Sequence, residues 1–104
     1  MTAGAKSLSE KQKKHLRGLA HALQPVSRLG NAGITDAFLA ELEATLAHHE
    51  LIKLKMVAPD RTQRDTAIKT LVERTGATLI TRIGNIAVLY RPSSSGPQLE
   101  LPEN

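Results

Sequence analysis

The sequence contains no cysteine and no tryptophan, and it has a single phenylalanine, Phe38, and a single tyrosine, Tyr90. Without cysteine, the chain cannot form disulfide bonds, thiolate metal sites, iron–sulfur clusters or a cysteine nucleophile. Both aromatic residues lie among aliphatic neighbours, which indicates that they belong to the core. Two rings are in any case too few for a surface that stacks several nucleic-acid bases, so a sheet that reads RNA through exposed aromatic rings is not expected.

Long apolar runs are also missing. No segment approaches the roughly 18 consecutive apolar residues of a membrane-spanning helix. Residues 1–7 lead into no apolar stretch of the kind found in secretory signals. With 104 residues, of which 40% are hydrophobic and 23% charged, the chain fits one globular domain with its own core. We expect a soluble, cytoplasmic protein without a membrane partner.

The charged residues are unevenly distributed along the chain. In total, 14 Lys and Arg residues face 10 Asp and Glu residues, which gives a net charge of +4. Residues 6–28 hold six cations and one carboxylate, residues 36–50 hold four carboxylates and no Lys or Arg, and residues 53–91 hold eight cations and three carboxylates. Alternating blocks of this kind can fold into separate surface patches, and a positive patch favours a polyanion such as nucleic acid.

Hydrophobic periodicity and capping residues predict seven elements in the order α-β-α-β-α-β-β. The helices begin after the predicted caps Ser9, Thr35 and Asp60 and extend to about residues 23, 48 and 76, and the strands cover residues 26–29, 51–57, 78–83 and 86–91. This order predicts a single α/β domain, residues 8–92, with a small mixed four-stranded sheet. Residues 1–7 are expected to form a flexible N-terminus, and residues 93–104, which contain the Ser-Ser-Ser-Gly-Pro run, a disordered tail.

The segment Gly30-Asn31-Ala32-Gly33 lies between a predicted strand and a predicted helix. Two residues without Cβ let the backbone approach a phosphate and direct its N–H groups at a helix entrance. The alternative is a tight turn with no functional role. The segment lacks the third glycine of a dinucleotide fingerprint and the Gly-Lys-Ser/Thr ending of a phosphate loop. We therefore expect no nucleotide cofactor and no small-molecule substrate.

Candidate cations lie on four predicted elements, and besides Arg28 and Arg82 on the first and third strands they form two groups. The first helix places Leu16, Leu19, Ala20 and Leu23 on one stripe and Lys13, Lys14 and Arg17 on another. On the strand over residues 51–57, Lys53 and Lys55 alternate with apolar residues. The alternative interpretation of all these cations is a solvated surface.

No residues predict catalysis or a metal site. His48, His49 and Glu50 are adjacent, so on a helix their side chains point about 100° apart, and no third ligand follows at the spacing of one helical turn. No serine has a recognisable base partner, and the carboxylates of the second helix are typical of a solvated face. We expect no enzymatic activity and no cofactor.

Five groups of residues, taken together and in order, resemble the bacterial YhbY proteins. They are residues 8–21, Pro25 with Val26, residues 30–35, residues 48–53, and residues 83–84 with 88–91. YhbY proteins are stand-alone forms of the CRM domain, the chloroplast RNA splicing and ribosome maturation module, and the resemblance covers residues 8–92. It implies an RNA-binding domain with a fold similar to the C-terminal domain of translation initiation factor three.

The resemblance also implies how RNA is held. Members of the family are associated with precursors of the large ribosomal subunit and carry a GxxG loop that clamps the nucleic-acid backbone, here Gly30 to Gly33. The family often has lysine after the first glycine of this loop and after the glycine of the last hairpin, where this chain has Asn31 and Asn85. We expect the missing lysines to weaken the loop and to shift its contribution to nearby cations, which are Lys14, Arg17, Arg28 and Arg82.

The sequence therefore predicts a small RNA-binding protein that docks on ribosomal RNA of large-subunit precursors and assists ribosome assembly without catalysis, with a monomer favoured. The predicted RNA-binding residues are Gly30, Asn31, Ala32, Gly33, Lys13, Lys14, Arg17, Arg28, Lys53, Lys55 and Arg82. The alternative is a protein-interaction adaptor, in which Glu41 and Glu43 on the acidic face of the second helix bind a basic ribosomal protein. Double-stranded DNA is a further alternative, but strands separate the helices and no helix-turn-helix motif is present.

Overall fold

A computed structural model describes residues 8–57 and 60–103. The elements are α1 (Glu10–Ala20), β1 (Pro25–Leu29), α2 (Asp36–His49), β2 (Leu51–Met56), α3 (Arg61–Thr75), β3 (Thr78–Ile83) and β4 (Ile86–Tyr90). The predicted order of helices and strands is confirmed. The predicted flexible N-terminus, residues 1–7, lies outside the described residues. None of the helices within the described ranges is long and apolar enough to cross a membrane.

Local capping signals set the helix ends. The Ser9 hydroxyl accepts the backbone N–H of Gln12, and the Gln12 side chain accepts that of Ser9, both at 3.1 Å. Thr35 and Asp60 cap α2 and α3 through the same kind of side-chain acceptor, which satisfies N–H groups that the first turn leaves free. Helix α3 ends at Gly76, whose φ of 74° is left-handed. These caps stand where the sequence predicts them.

Helix α1 is shorter than the predicted span to Leu23. Its last residue is Ala20, and the next backbone N–H groups bond three residues back rather than four: Ala22 to Leu19 and Leu23 to Ala20. This tighter turn rotates the chain before Pro25, which begins β1 and cannot donate a helical hydrogen bond. Leu19, predicted on the apolar stripe, is 38% exposed.

The four strands form one mixed sheet in the order β1-β2-β4-β3. Strand β1 pairs with β2 in parallel, and β4 pairs with β2 and β3 in antiparallel fashion. The helix between β1 and β2 makes the crossover that parallel neighbours need. The predicted mixed four-stranded sheet and its terminal hairpin are confirmed.

Helices cover both faces of the sheet. Helices α2 and α3 pack on one face around a core that includes Leu42, Leu54 and Leu71. Helix α1 packs on the opposite face, where Leu16 contacts a cluster that includes Val88 and Tyr90. Successive residues of β4 point to alternate faces and contribute to the two clusters in turn. The face that carries α1 is called the α1 side below.

The C-terminal segment, residues 93–103, differs from the predicted disordered tail. It contains no helix or strand, but Leu99 and Leu101 pack against the α1-side cluster. The side-chain amide of Gln12 on α1 donates to the carbonyl of Pro102 at 3.0 Å. Two leucines that complete an apolar layer favour the folded segment, whereas the composition of the preceding Ser-Gly-Pro run indicates only a polar coil. Asn104 lies outside the described residues.

Glu50 joins this segment to the core. Its side chain is 1% exposed, and its carboxylate accepts the backbone N–H groups of Ser93 at 2.7 Å, Gln98 at 3.0 Å and Leu99 at 2.9 Å. Burial raises the pKa of Glu50, but these donors outweigh burial, and its pKa lies below the ordinary value. Burial and the nearby Glu50 charge raise the pKa of Tyr90. A buried carboxylate with three backbone donors is an anchor for the chain that supplies them.

Candidate nucleic-acid interface

The loop edge is our name for one end of the sheet, where strands begin or end. It contains the GxxG loop, the first turns of α2 and α3, and the Gly84-Asn85 turn. Strands β1 and β2 are parallel, so their carboxyl ends meet there, and antiparallel β4 begins there. The backbone N–H of Met56 donates to the Asn85 carbonyl at 2.7 Å, and that of Val57 to the Leu29 carbonyl at 3.0 Å. These bonds fix the three strand ends relative to one another.

The GxxG loop presents bare backbone to solvent. Gly30, Asn31 and Ala32 are exposed, and the N–H of Gly33 bonds the Gly30 carbonyl at 3.1 Å to close a turn. Gly33 has a φ of 78°, which disfavours any residue with a side chain. Gly30 needs no such conformation, and at both glycines a Cβ would meet no heavy atom within 4 Å. The open side of this turn is therefore accessible to a large ligand such as a phosphate group.

A shallow cleft separates the loop from α3. Its volume is about 320 Å³, and it is lined by Gly30, Asn31 and Gly33 from the loop and by Gln63 and Ala67 from α3, among others. Two helices also begin at this edge. The N–H groups of a first helical turn carry partial positive charge, but Asp36 in the first turn of α2 and the Asp60 cap of α3 place a carboxylate at each helix start and partly offset it.

Three predicted cations lie together on the α1 side. Arg28 of β1 stands opposite Lys55 of β2, and Lys53 lies two residues before Lys55 on the same face. The register confirms the face, because Lys53 stands opposite Val88, which packs beneath α1. Side chains on neighbouring strands are about 5 Å apart. Arg28, Lys53 and Lys55 thus form one positive group, and Arg28 is two residues from the GxxG loop.

The predicted cations of α1 lie on the same side of the sheet as this positive group. Lys14 is exposed, and Arg17 is half-buried. Lys13 is 3.9 Å from the carboxylate of Glu10, an exposed pair that stabilises little. Since α1 packs on the α1 side, all six of these cations belong to one side of the sheet.

Arg82 lies on the opposite face. It stands across from Ala87, a core residue of the α2 and α3 side. Its Nε is 2.9 Å from the carboxylate of Asp65 on α3, and its guanidinium also donates to the carbonyl of Gly84 at 3.1 Å. Arg82 therefore braces the hairpin turn against α3, and the structure does not bring it together with the other predicted cations.

The carboxylates of α2 have different surroundings. Glu43 accepts from Arg91 at 2.7 Å, and Arg91 also donates to the carbonyl of Thr75 at 2.9 Å. Glu41 is exposed and lines a second shallow cleft with Arg28 and Lys55 at the β1 edge. Glu43, one of the two carboxylates of the adaptor alternative, is thus engaged within the fold.

The histidines of α2 and Glu50 do not converge. The His48 and His49 rings meet edge to face at 4.6 Å, whereas the Glu50 carboxylate points to the C-terminal segment. Within residues 8–57 and 60–103, no group of three or more His, Asp or Glu side chains could hold a metal ion.

The exposure of Ile83 was not predicted from the sequence. This residue ends β3 beside the Gly84-Asn85 turn and is 69% exposed, while Ile86, opposite it on β4, is half-buried. Neither belongs to the clusters that fill the two faces of the sheet. Ile83 and Ile86 fit the alternating pattern of ordinary strands, so the sequence does not distinguish them from other strand residues. Only the register of the strands shows that they lie in one row with Lys55 across the sheet.

The chain is similar to several bacterial proteins. The CRS1 / YhbY (CRM) domain family matches residues 8–91. A Haemophilus influenzae protein named RNA-binding protein is 48% identical over 96 residues, which are 92% of this chain and 96% of that protein. The probable RNA-binding protein YqeI of Bacillus subtilis is 34% identical over 95 residues, 91% and 99% of the two chains.

The fold is also similar to that of a solved structure. The solution structure of a hypothetical Staphylococcus aureus protein, described as an RNA-binding candidate, superposes with a TM-score of 0.78 at 34% identity and covers 92% of this chain and 100% of its own. The expected similarity to the C-terminal domain of translation initiation factor three stays a prediction.

Proposed function

Since the chain belongs to the CRS1 / YhbY (CRM) domain family, we propose that it is a non-catalytic RNA-binding protein that holds a ribose–phosphate strand at the loop edge. The names of the bacterial relatives support RNA as the ligand class. The observation that carries the proposal is the exposed backbone of Gly30, Asn31 and Ala32, which begins two residues after Arg28, the cation that stands opposite Lys55.

The proposed mechanism has two parts. Backbone N–H groups of the loop approach one phosphate, because no Cβ of either glycine keeps the strand away. Arg28, Lys53 and Lys55 then neutralise neighbouring phosphates, and the cations of α1 extend the positive surface. Among the described residues, Arg28 and Lys55 form no ion pair, so their charges are available to a ligand.

The salt dependence of binding tests this mechanism. Each neutralised phosphate of a single strand contributes roughly −0.7 to the slope of log K against log salt. With three to six cations engaged, we expect a slope between about −2 and −4 for a structured RNA. A slope near zero would contradict the electrostatic mechanism, whereas undetectable binding at low salt would contradict RNA binding as such.

We further propose that the target is ribosomal RNA in precursors of the large subunit, bound in the cytoplasm during assembly. This finer proposal rests on the resemblance of residues 8–92 to YhbY proteins. Crosslinking in cells, followed by sequencing of the attached RNA, tests it. Reads concentrated in large-subunit ribosomal RNA, and enriched in incomplete particles, are the expected result. Reads spread over messenger and transfer RNA would contradict it.

A further inference from the structure

A row of four side chains crosses the α1 side next to the loop edge, and we call it the edge row. Arg28 stands opposite Lys55, Lys55 opposite Ile86, and Ile86 opposite Ile83. The row runs from β1 at one edge of the sheet to β3 at the other, a span of roughly 14 Å at about 4.8 Å per strand. Its first half is cationic, and its second half is apolar.

The described residues leave the outer end of the apolar half, Ile83, uncovered. Ile83 is 69% exposed, the largest value among the large apolar side chains of the described residues. Helix α1 and the C-terminal segment cover the other part of this face, where their cluster includes Leu51, Ile80 and Tyr90. An isoleucine at this exposure contributes little to folding, so its side chain remains available for a partner.

The charge of the face identifies the class of partner. Strands β1 to β4 contain no Asp or Glu, while Arg28, Lys53 and Lys55 all lie on the α1 side. Glu41 is a carboxylate at the border of the row, beyond the β1 edge and away from the isoleucines. A ligand that complements the row therefore has an anionic group and an apolar surface about one strand spacing apart.

We propose that the edge row binds an unpaired nucleotide of an RNA strand. Arg28 and Lys55 hold its phosphate, and Ile86 and Ile83 pack against the face of its base. In a duplex the base faces are stacked inside the helix and cannot reach the isoleucines, whereas loops and bulges splay their bases outward. The edge row thus selects RNA with unpaired nucleotides over continuous duplex. This inference rests on the proposed RNA-binding function and specifies which RNA the same site takes.

The experiment compares two RNA duplexes with equal numbers of nucleotides, one that carries a bulge of unpaired nucleotides and one that is fully paired with blunt ends. Binding of each is measured for the intact protein and for Ile83→Thr, with Ile83→Val as the matched control. Thr and Val are both β-branched and suit an edge strand. Melting temperatures establish that both variants fold, as the exposure of position 83 leads us to expect.

We expect the intact protein to prefer the bulged RNA. Loss of about 40 Å² of apolar contact should lower the affinity of Ile83→Thr for that RNA about fivefold, with little change for the paired RNA and a smaller loss of about twofold in Ile83→Val. Equal affinity of the intact protein for both RNAs, or an unchanged preference in Ile83→Thr, would overturn the inference while RNA binding stands. Absence of salt-dependent binding to either RNA would instead overturn the proposed function.

Discussion

The carboxylate of Glu50 accepts the backbone N–H of Leu99 at 2.9 Å, across 49 positions of sequence. Glu50 is the C-cap of α2, and its φ of 65° turns the chain from the helix into β2. A residue with a side chain pays conformational energy in this left-handed region. The bonds from the C-terminal segment offset that cost, so the end of α2 and the segment that covers the α1-side core depend on each other.

Glu50→Gln should destabilise the protein. The amide has the size of the carboxylate but lacks its charge, and its NH2 group would face N–H donors that a carboxylate oxygen now accepts. We expect the free energy of unfolding to fall by about 2 kcal/mol, measured by urea denaturation. Loosening of residues 93–103 should also speed cleavage after Glu100 by a glutamate-specific endopeptidase, because this bond lies within the segment.

Glu73→Gln is the matched control, because Glu73 is an exposed glutamate on α3. It should change stability by less than about 0.5 kcal/mol. If Glu50→Gln and Glu73→Gln unfold at the same urea concentration, Glu50 does not anchor the segment.

The pH dependence of stability provides a second test of this carboxylate. Burial raises its pKa, but the donors Leu99, Ser93 and Gln98 lower it further, so the pKa is lower in the folded protein than in the unfolded chain. Such a group adds stability above its unfolded pKa and loses it as the pH falls through its folded pKa. We expect the free energy of unfolding to decline below about pH 4.5, and to decline less in Glu50→Gln. Parallel profiles of the two proteins would contradict this assignment.

Much of the fold was predictable because its signals are local. Ser9, Thr35 and Asp60 are caps that act within one turn of their own helices, and Gly76 stops α3 through its own φ. The end of the chain was not predictable in this way. The anchor of residues 93–103 is a carboxylate more than forty positions away, and the composition around the segment does not indicate this contact.

The candidate site likewise combines a feature that is local in sequence with features that depend on long-range strand pairing. The GxxG loop is a contiguous motif, so its position between β1 and α2 follows from the sequence. The grouping of the cations depends on strand register, which the sequence leaves open. On β3 the pairing shifts between Leu79 and Thr81, and a shift of one residue exchanges the two faces of a strand. The sequence alone therefore does not show on which face of the sheet Arg82 lies.

The opposite locations of Arg28 and Arg82 lead to different expected effects of the same substitution. Arg28→Gln should reduce RNA affinity about threefold and make the salt slope shallower by about 0.7, because one phosphate contact is lost. Arg82→Gln should leave RNA affinity unchanged and lower stability by about 0.5 to 1 kcal/mol, since it removes the pair with half-exposed Asp65. Fluorescence anisotropy and urea denaturation measure the two effects. The assignment fails if Arg82→Gln weakens RNA binding as much as Arg28→Gln.

Negative charge added to the GxxG loop should lower RNA affinity, and positive charge added there should raise it. Asn31 and Ala32 are exposed, so Asn31→Asp combined with Ala32→Asp adds two negative charges without disturbing the core. We expect at least a tenfold loss of affinity, about 1.4 kcal/mol, at an unchanged melting temperature. Asn31→Lys should strengthen binding about threefold and steepen the salt slope, because it adds a phosphate contact.

A remote pair controls for the change in net charge. Ala40 and Ala44 are exposed on α2, on the side of the sheet away from α1. Ala40→Asp with Ala44→Asp gives the same net charge as the loop variant and should weaken binding by less than threefold, since screening limits charge effects to about 10 Å at 0.1 M salt. Equal losses in the two double variants would mean that RNA responds only to total charge, and the loop would then have no part in the site.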